Sequence, residues 1–401
     1  MTHVSDQAAQ PPDGFPGLLI VQTGDFGAAW ARMTDGEPET YRDQYASLRF
    51  VAGLAQDFNV TTLAICARPH DDRLAPRLRS IGISRAKMDG RQSAMLLDQL
   101  APARLILRSP FPPLLAAAAR RGVPTLPSFA DLFAADGLRG KLRAWRLRRL
   151  LTGPHIPGVA NHSLNASRSA VRVLGLSPQR VIPWDWSRIR PEPRTKTSIP
   201  DPVQPRCFYA GALNEAKGLG DCLEALAILH RRGLQARLSV AGSGDPKPWA
   251  ARAAALGLSD VVDLLGILPN EQVRTNMADH DLVIVPSRPE YPEGLPNTIY
   301  EGLASRSPLI LSDHPAFRGR IVDGSGGLVF RAADPVSLAA AVERLCADSA
   351  LYARLSAGAE AALESLHIGL EWSDLVRLFL NDPANHTGWV ERHSLAGLGV
   401  T

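Results

Sequence analysis

Short runs of β-branched and aliphatic residues alternate with longer segments of helical period along most of the chain. In the first half the strand-like runs are GLLIVQ (17–22), NVTTLAICA (59–67) and ARLILRS (103–109). Helical patterns over 41–56, 92–100 and 111–121 separate or follow them. In the second half the runs are CFYAGAL (207–213), ARLSVAG (236–242), VVDLLG (261–266), DLVIVPS (281–287) and SPLILS (307–312), each followed by a helical segment. Apolar strands alternating with helices predict α/β architecture with parallel sheets covered on both faces. The segment 187–206, SRIRPEPRTKTSIPDPVQPR, is rich in proline and charge and reads as a linker. The expected division is therefore an N-terminal α/β unit over 1–186, a linker over 187–206, and a second α/β unit over 207–380. Residues 381–401 have no clear period and read as a loose tail or a return segment. Ligands of open parallel sheets bind beyond the carboxyl ends of the strands, so two such units are expected to face one another across a cleft.

The 401 residues, 45% of them hydrophobic, suffice for real cores and exclude disorder or a collagen-like repeat. The net charge of +4 hides a strong asymmetry. Residues 1–100 carry a net −2, residues 101–200 a net +13 and residues 201–401 a net −7. A basic stretch of that size suits an anionic partner such as a membrane, a phosphate-bearing substrate or nucleic acid, or is simply a solvated face. The four cysteines (Cys66, Cys207, Cys222, Cys346) are scattered, with no metal-ligand spacing, so neither a disulfide framework nor a zinc site is expected. The polar opening MTHVSDQAAQPPDG does not resemble a signal peptide, and no apolar run is long enough to span a bilayer. A soluble, cytoplasmic protein is expected.

Three segments hold candidate chemistry. AGALNEAKGLGDCLEALAIL (210–229) reads as strand, glycine-containing turn and amphipathic helix, with Lys217 at the turn. Only five of the 44 basic residues are lysines, and a lysine there can meet a phosphate as a point charge. Taken alone, a lysine at a helix start is more often merely solvated. In PSRPEYPEGLPNTIYEGLASRSPLILS (286–312), Pro296 suits the first turn of a helix and leaves the amides of 294–298 as donors for an anion. Glu293 precedes that helix and Glu301 falls in its second turn. In LSVAGSGDP (238–246), Gly242-x-Gly244 follows a strand, but Lys247 occupies the third glycine position of a dinucleotide fingerprint. There is no Walker loop, H-E-x-x-H or G-x-S-x-G, so hydride transfer on NAD, P-loop chemistry, zinc proteolysis and serine hydrolysis lose their usual sequence support.

Taken in order, AGALNEAKG, LSVAGSG, VVDLLGILPNEQV, DHDLVIVPS, EGLPNTIYEGLASRSPLILSD, GGLVF and DPVSLAAAVERL resemble the family 4 (group 1) retaining glycosyltransferases. The resemblance covers about 205–365 and implies the GT-B fold of two Rossmann-like domains. It implies a metal-independent, cofactor-free enzyme that moves a hexosyl group from a nucleotide-diphospho sugar to a saccharide or lipid-linked acceptor, in polysaccharide or glycolipid assembly. By the family pattern, Lys217 would meet the donor diphosphate, Glu293 the transferred sugar and Glu301 the ribose. The backbone of Gly294, Leu295 and Pro296 would flank the phosphates, with Gly242 beside the donor and 265–267, including Gly266, lining the base. Gly24, in the N-terminal half, would abut the donor sugar.

The chain departs from that pattern in three places. Ala212 stands where most members have an arginine, with Arg288 a candidate replacement. SFADLF replaces the usual histidine after VPTLP (123–127), leaving Asp131 as the substitute catalytic group, and IPWDWS (182–187) stands at the domain junction. A GT-B nucleotide-sugar epimerase and a catalytically silent nucleotide-sugar-binding protein therefore remain alternatives. The segment LRGKLRAWRLRRLL (138–151) holds six basic residues and no acid. Its wheel places Leu138, Leu142 and Trp145 on one stripe, which Arg149 interrupts, while Leu147 and Leu150 face elsewhere. A peripheral contact with an anionic surface at the inner face of the membrane and an ordinary solvated helix both remain open. Nucleic acid is not expected as a partner, since no aromatic interleaving or reading motif accompanies the charge.

Overall fold

The computed structural model describes residues 14–65 and 68–400. The polar opening segment up to residue 13, Cys66 and the last two residues of the 59–67 run lie outside the described residues. The chain divides into two compact units, and it crosses between them near 186 and 367.

The first unit begins with β1 (Gly17–Gln22), α1 (Phe26–Thr34), α2 (Gln44–Gly53) and β2 (Asn59–Ile65). A hairpin of β3 (His70–Ala75) and β4 (Leu78–Ile83) follows, then α3 (Gly90–Leu100), β5 (Arg104–Leu107), α4 (Pro112–Arg121) and β6 (Thr125–Phe129). It continues with α5 (Gly137–Leu151), β7 (Val159–His162), α6 (Leu164–Leu174) and β8 (Val181–Trp184). The sheet order is β3-β4-β2-β1-β5-β6-β7-β8, parallel throughout except for the β3–β4 pair. Sequence pattern missed β3 because HDDRLA is polar and lies half to fully exposed at the sheet edge. The opposite edge, β8, tolerates Pro183 because an edge strand needs no donor there. Alternate residues of β1 divide the core: Leu19 and Val21 face one helical layer, Leu18 and Ile20 the other.

The second unit contains β9 (Arg206–Ala210), α7 (Leu219–Arg231), β10 (Arg237–Ala241), α8 (Lys247–Ala255), β11 (Val262–Gly266) and α9 (Asn270–Asp279). β12 (Leu282–Val285), α10 (Asn297–Ala304), β13 (Leu309–Ser312), β14 (Gly327–Phe330), α11 (Pro335–Ala347) and α12 (Ser349–Leu366) complete it. Its sheet is parallel throughout in the order β11-β10-β9-β12-β13-β14. Two features differ from the expected division. Residues 187–206 do not stand apart: Ile199 is in the core of this unit, Arg306 Nε donates to the Glu192 carbonyl (2.9 Å) and Lys196 Nζ donates to Ser307 Oγ (2.7 Å). A short excursion of the N-terminal half, Glu39–Arg42, also belongs here.

The chain then returns to the first unit with α13 (Trp372–Asn381) and α14 (Trp389–His393). Residues 368–380, expected in the second unit, lie instead on the Leu18/Ile20 face of the first sheet. Trp372, Leu375, Val376 and Phe379 are buried there, and Trp372 Nε1 donates to Ser128 Oγ (2.9 Å). Trp389 and Val390 are buried on the same side, and the Leu395 amide donates to the Val181 carbonyl (2.8 Å). Among the described residues no helix is long and apolar enough to cross a membrane.

Candidate functional site

The loops at the carboxyl ends of β9, β10 and β11 are stitched together through their backbones. The Gly211 amide donates to the Ala241 carbonyl (2.9 Å), and the Gly242 amide donates to the Gly266 carbonyl (2.8 Å). Gly242 has φ +153°, and a Cβ there would lie 1.7 Å from the Gly211 oxygen, so only glycine lets the two loops meet. The loop from β9 to α7 ends at Gly218, φ +84°, where a Cβ would lie 2.1 Å from the Pro286 oxygen. That contact sets the start of α7 against the end of β12. Within the loop, Asn214 Oδ1 accepts from the Lys217 amide (2.7 Å), a turn closed by a side chain.

These constraints aim Lys217 inward, and its side chain is buried rather than solvated. Nζ donates to both oxygens of Glu293, at 2.5 and 2.6 Å, and lies 4.9 Å from the centroid of the Tyr291 ring. Ser287 Oγ donates to Glu293 Oε2 (2.5 Å), so the carboxylate is held from two sides. Both members of the ion pair are more than nine-tenths buried. The structure thus joins two residues that lie 76 positions apart in sequence.

Glu293 leads through half-buried Gly294 and buried Leu295 and Pro296 into α10. Pro296 occupies the cap, with extended backbone (φ −69°, ψ 141°), one position before the first helical turn where sequence reasoning put it. The Ile299 amide donates to the Pro296 carbonyl (3.0 Å), while the amides of Asn297 and Thr298 have no acceptor among the described residues. Two donors at the positive end of a helix therefore lie four and five residues after Glu293.

Glu301, in the second turn of α10, is buried, and its Oε1 accepts from Asn270 Nδ2 (2.6 Å). Burial pushes its carboxyl up to about 7, against the opposing pull of the Asn270 hydrogen bond and the charges of Arg42 and Arg274. The Asn270 amide donates to the Glu39 carbonyl (2.8 Å), so the Glu39–Arg42 excursion braces the group that holds Glu301. At the end of β11, Leu265 and Ile267 are exposed on either side of Gly266 (φ +70°).

Arg288, the candidate replacement for the arginine absent at Ala212, is held by two carboxylates. Its Nε and Nη2 donate to both oxygens of buried Asp221 (2.9 and 2.7 Å), and Nη2 also donates to Glu215 (2.8 Å). Those carboxylates already engage the guanidinium and hold its proton more tightly than usual.

The remaining expected site residues lie in the first unit. Gly24 follows β1, its carbonyl accepts from Gln22 Nε2 (3.1 Å), and Asp25 beside it caps α1 through the Ala28 amide (2.9 Å). Asp131 follows β6, and Asn161 holds its backbone at both ends: Oδ1 accepts from the Asp131 amide (3.2 Å) and Nδ2 donates to its carbonyl (2.9 Å). Burial raises the Asp131 carboxyl above the usual aspartate range. Sequence reasoning did not single out Ser287, Asn270, Tyr291 or the excursion. Ser287 and Asn270 sit inside motifs that were read, but only as strand end and helix start. Nothing in the local sequence of 39–42 signals its contact with Asn270.

Residues 204–348 match the family model described as "Glycosyl transferases group 1". An alpha-D-kanosaminyltransferase from Streptomyces kanamyceticus is 33% identical over 171 residues, 42% of this chain and 43% of that protein. The amylovoran biosynthesis glycosyltransferase AmsK of Erwinia amylovora is 31% identical over 144 residues, 35% of each chain. The matched stretch thus spans less than half of either relative. Among solved structures, sucrose-phosphate synthase from Thermosynechococcus elongatus aligns with a TM-score of 0.66 at 16% identity, over 91% of this chain and 98% of that one. HepE from Anabaena, in complex with UDP and glucose, aligns at 0.62 and 12% identity, over 92% and 100%. The chain accordingly has the GT-B fold, and its stretch 204–348 is similar to the group 1 glycosyl transferases.

Proposed function

We propose that this protein is a retaining, metal-independent glycosyltransferase of family 4. Its donor is a nucleotide-diphospho sugar, and it passes a hexosyl group to a saccharide or lipid-linked acceptor in polysaccharide or glycolipid assembly. The observation that carries the reading is the buried Lys217–Glu293 pair, with Glu293 four residues before the open amides of α10 begin, in a segment that matches glycosyltransferases. The likeness to a glycosyltransferase of amylovoran biosynthesis and the fold shared with HepE, solved with UDP and glucose, support the substrate class.

Breaking the anomeric C–O bond leaves the electron pair on a nucleoside diphosphate and positive charge on the sugar. The ammonium of Lys217 and the amides of Asn297 and Thr298 would stabilise that diphosphate where other enzymes use a metal ion. Before donor arrives, Glu293 neutralises Lys217, so the ammonium is in place without an unpaired buried charge. When the diphosphate takes over the ammonium, Glu293 turns to a sugar hydroxyl. Glu301 accepts from the ribose hydroxyls, 265–267 line the base, Gly242 and Gly266 keep backbone near the donor, and Gly24 abuts the sugar. Asp131 is the acceptor-side group. With the leaving group held on one face, the acceptor oxygen attacks that same face and gives up its proton to the departing diphosphate oxygen, which retains configuration.

The test is donor cleavage with UDP-, GDP-, ADP- and dTDP-sugars, with and without acceptor extract, and the anomeric configuration of the product by NMR. Acceptor-dependent cleavage with retention supports the reading. Turnover without acceptor would indicate an epimerase, and binding without turnover a silent nucleotide-sugar binder.

A further inference from the structure

Helix α5 has two apolar faces, and only one is used by the fold. Residues of an α-helix advance by about 100° each. Gly140, Ala144, Leu147 and Leu151 therefore share one side, and Leu147, Leu150, Leu151 and Ala144 pack against the first core. Leu138, Leu142 and Trp145 share the opposite side, and they are 86%, 47% and 54% exposed. Leu147 and Leu150, which made the sequence pattern look irregular, belong to the core side, and the outer stripe runs from Leu138 to Trp145 before Arg149 interrupts it.

The charges around this stripe are arranged to match. Lys141 and Arg148 flank it on one side, Arg139, Arg143 and Arg146 on the other, and Arg149 ends it towards the helix C-terminus. No acidic residue occurs within α5, and none of the six cations has a carboxylate within ion-pair distance among the described residues. Elsewhere the arginines of this chain are commonly paired, as Arg121 is with Asp98 and Arg79 with Asp71. The outer face of α5 thus combines uncovered large apolar side chains with unneutralised positive charge.

We infer that α5 lies on an anionic bilayer surface, with Leu138, Leu142 and Trp145 entering between the headgroups and the surrounding cations meeting lipid phosphates. Side chains of this kind match both layers of the interface, hydrocarbon below and negative charge above. A water-soluble acidic partner would leave the apolar stripe without a matching layer. The inference stands on α5 alone and does not depend on the proposed transfer reaction.

Vesicle co-sedimentation of the full chain tests it, using phosphatidylcholine with and without 30% phosphatidylglycerol. Binding is expected with the anionic vesicles at low salt, and at least tenfold weaker binding in high salt or with pure phosphatidylcholine. Leu138→Ser, Leu142→Ser and Trp145→Ser together alter only exposed positions. They should leave the circular dichroism spectrum unchanged and weaken partitioning at least tenfold. Brominated lipids should quench wild-type tryptophan fluorescence, and Trp145→Phe should abolish that quenching. Failure to bind anionic vesicles at low salt, or equal binding by the triple variant, overturns the inference. Undiminished quenching in Trp145→Phe overturns it as well.

Discussion

Lys217 and Glu293 depend on each other, which makes the pair testable in two independent ways. Lys217→Ala leaves the Glu293 carboxylate buried with only Ser287 as donor. Loss of one member of a buried pair costs about 3 kcal/mol of stability. Replacing both, as Lys217→Met with Glu293→Leu, should recover most of that loss in a denaturant titration without recovering donor turnover. Recovery of turnover would show that the pair serves packing alone. Glu301 gives a pH prediction. Its carboxyl rises from 4.5 to about 7, so between those values the folded protein holds a proton that the unfolded chain has released. Its contribution therefore favours folding at pH 4.5 and below, and declines as pH rises towards 7. That difference is on the order of 3 kcal/mol. Glu301→Gln keeps an oxygen for Asn270 and should remove this part of the stability–pH slope, measured by urea unfolding from pH 4.5 to 7.5. An unchanged slope would contradict the assignment. At this scale the sequence disclosed the residue types but not their pairing, because Lys217 and Glu293 meet only through the fold.

Among the elements, the loops beyond β9 and β10 carry the tightest steric condition. Gly242→Ala would drive a methyl into the Gly211 carbonyl and impose a disfavoured φ. Its expected result is loss of nucleotide-sugar binding in a thermal-shift assay, with a lower melting temperature even without ligand. Normal donor-induced stabilisation in that variant would show that the loop contact is dispensable. Most strands were legible because parallel strands buried on both faces are continuously apolar, as in LVIV (282–285) and LLIV within β1. β3 was not, since an exposed edge strand shows no apolar run, and buried β4 was missed because Arg79 and Ser80 interrupt its apolar run. Helix α5 was legible as a helix, but its wheel could not separate the side facing the core from the side facing solvent. Burial of Leu151 and partial burial of Leu147 against exposure of Leu142 and Trp145 separate them.

In the whole molecule, the last 34 residues return to the first unit rather than extending the second. Trp372, Leu375, Val376, Phe379 and Trp389 fill one face of the first sheet, and each buried side chain of this size contributes about 2 kcal/mol. Together they match the entire stability of a typical domain, about 5–15 kcal/mol. Ending the chain after His367 should therefore abolish the cooperative unfolding of the first unit while the second keeps its own transition, as followed by calorimetry. Two normal transitions in the truncated chain would contradict this. The return was unreadable from sequence because amphipathic helices do not disclose which sheet they cover. The division into two α/β units was readable, because each half repeats the same strand–helix alternation. The proposed site of glycosyl transfer is built on Lys217 and Glu293. The direct measurement is donor cleavage by the wild type, Lys217→Ala and Glu293→Gln, with acceptor present and EDTA added. Acceptor-dependent cleavage of one nucleotide sugar by the wild type, undiminished by EDTA, is expected, with a loss of about a hundredfold or more in each variant. Equal turnover by wild type and Lys217→Ala would contradict it.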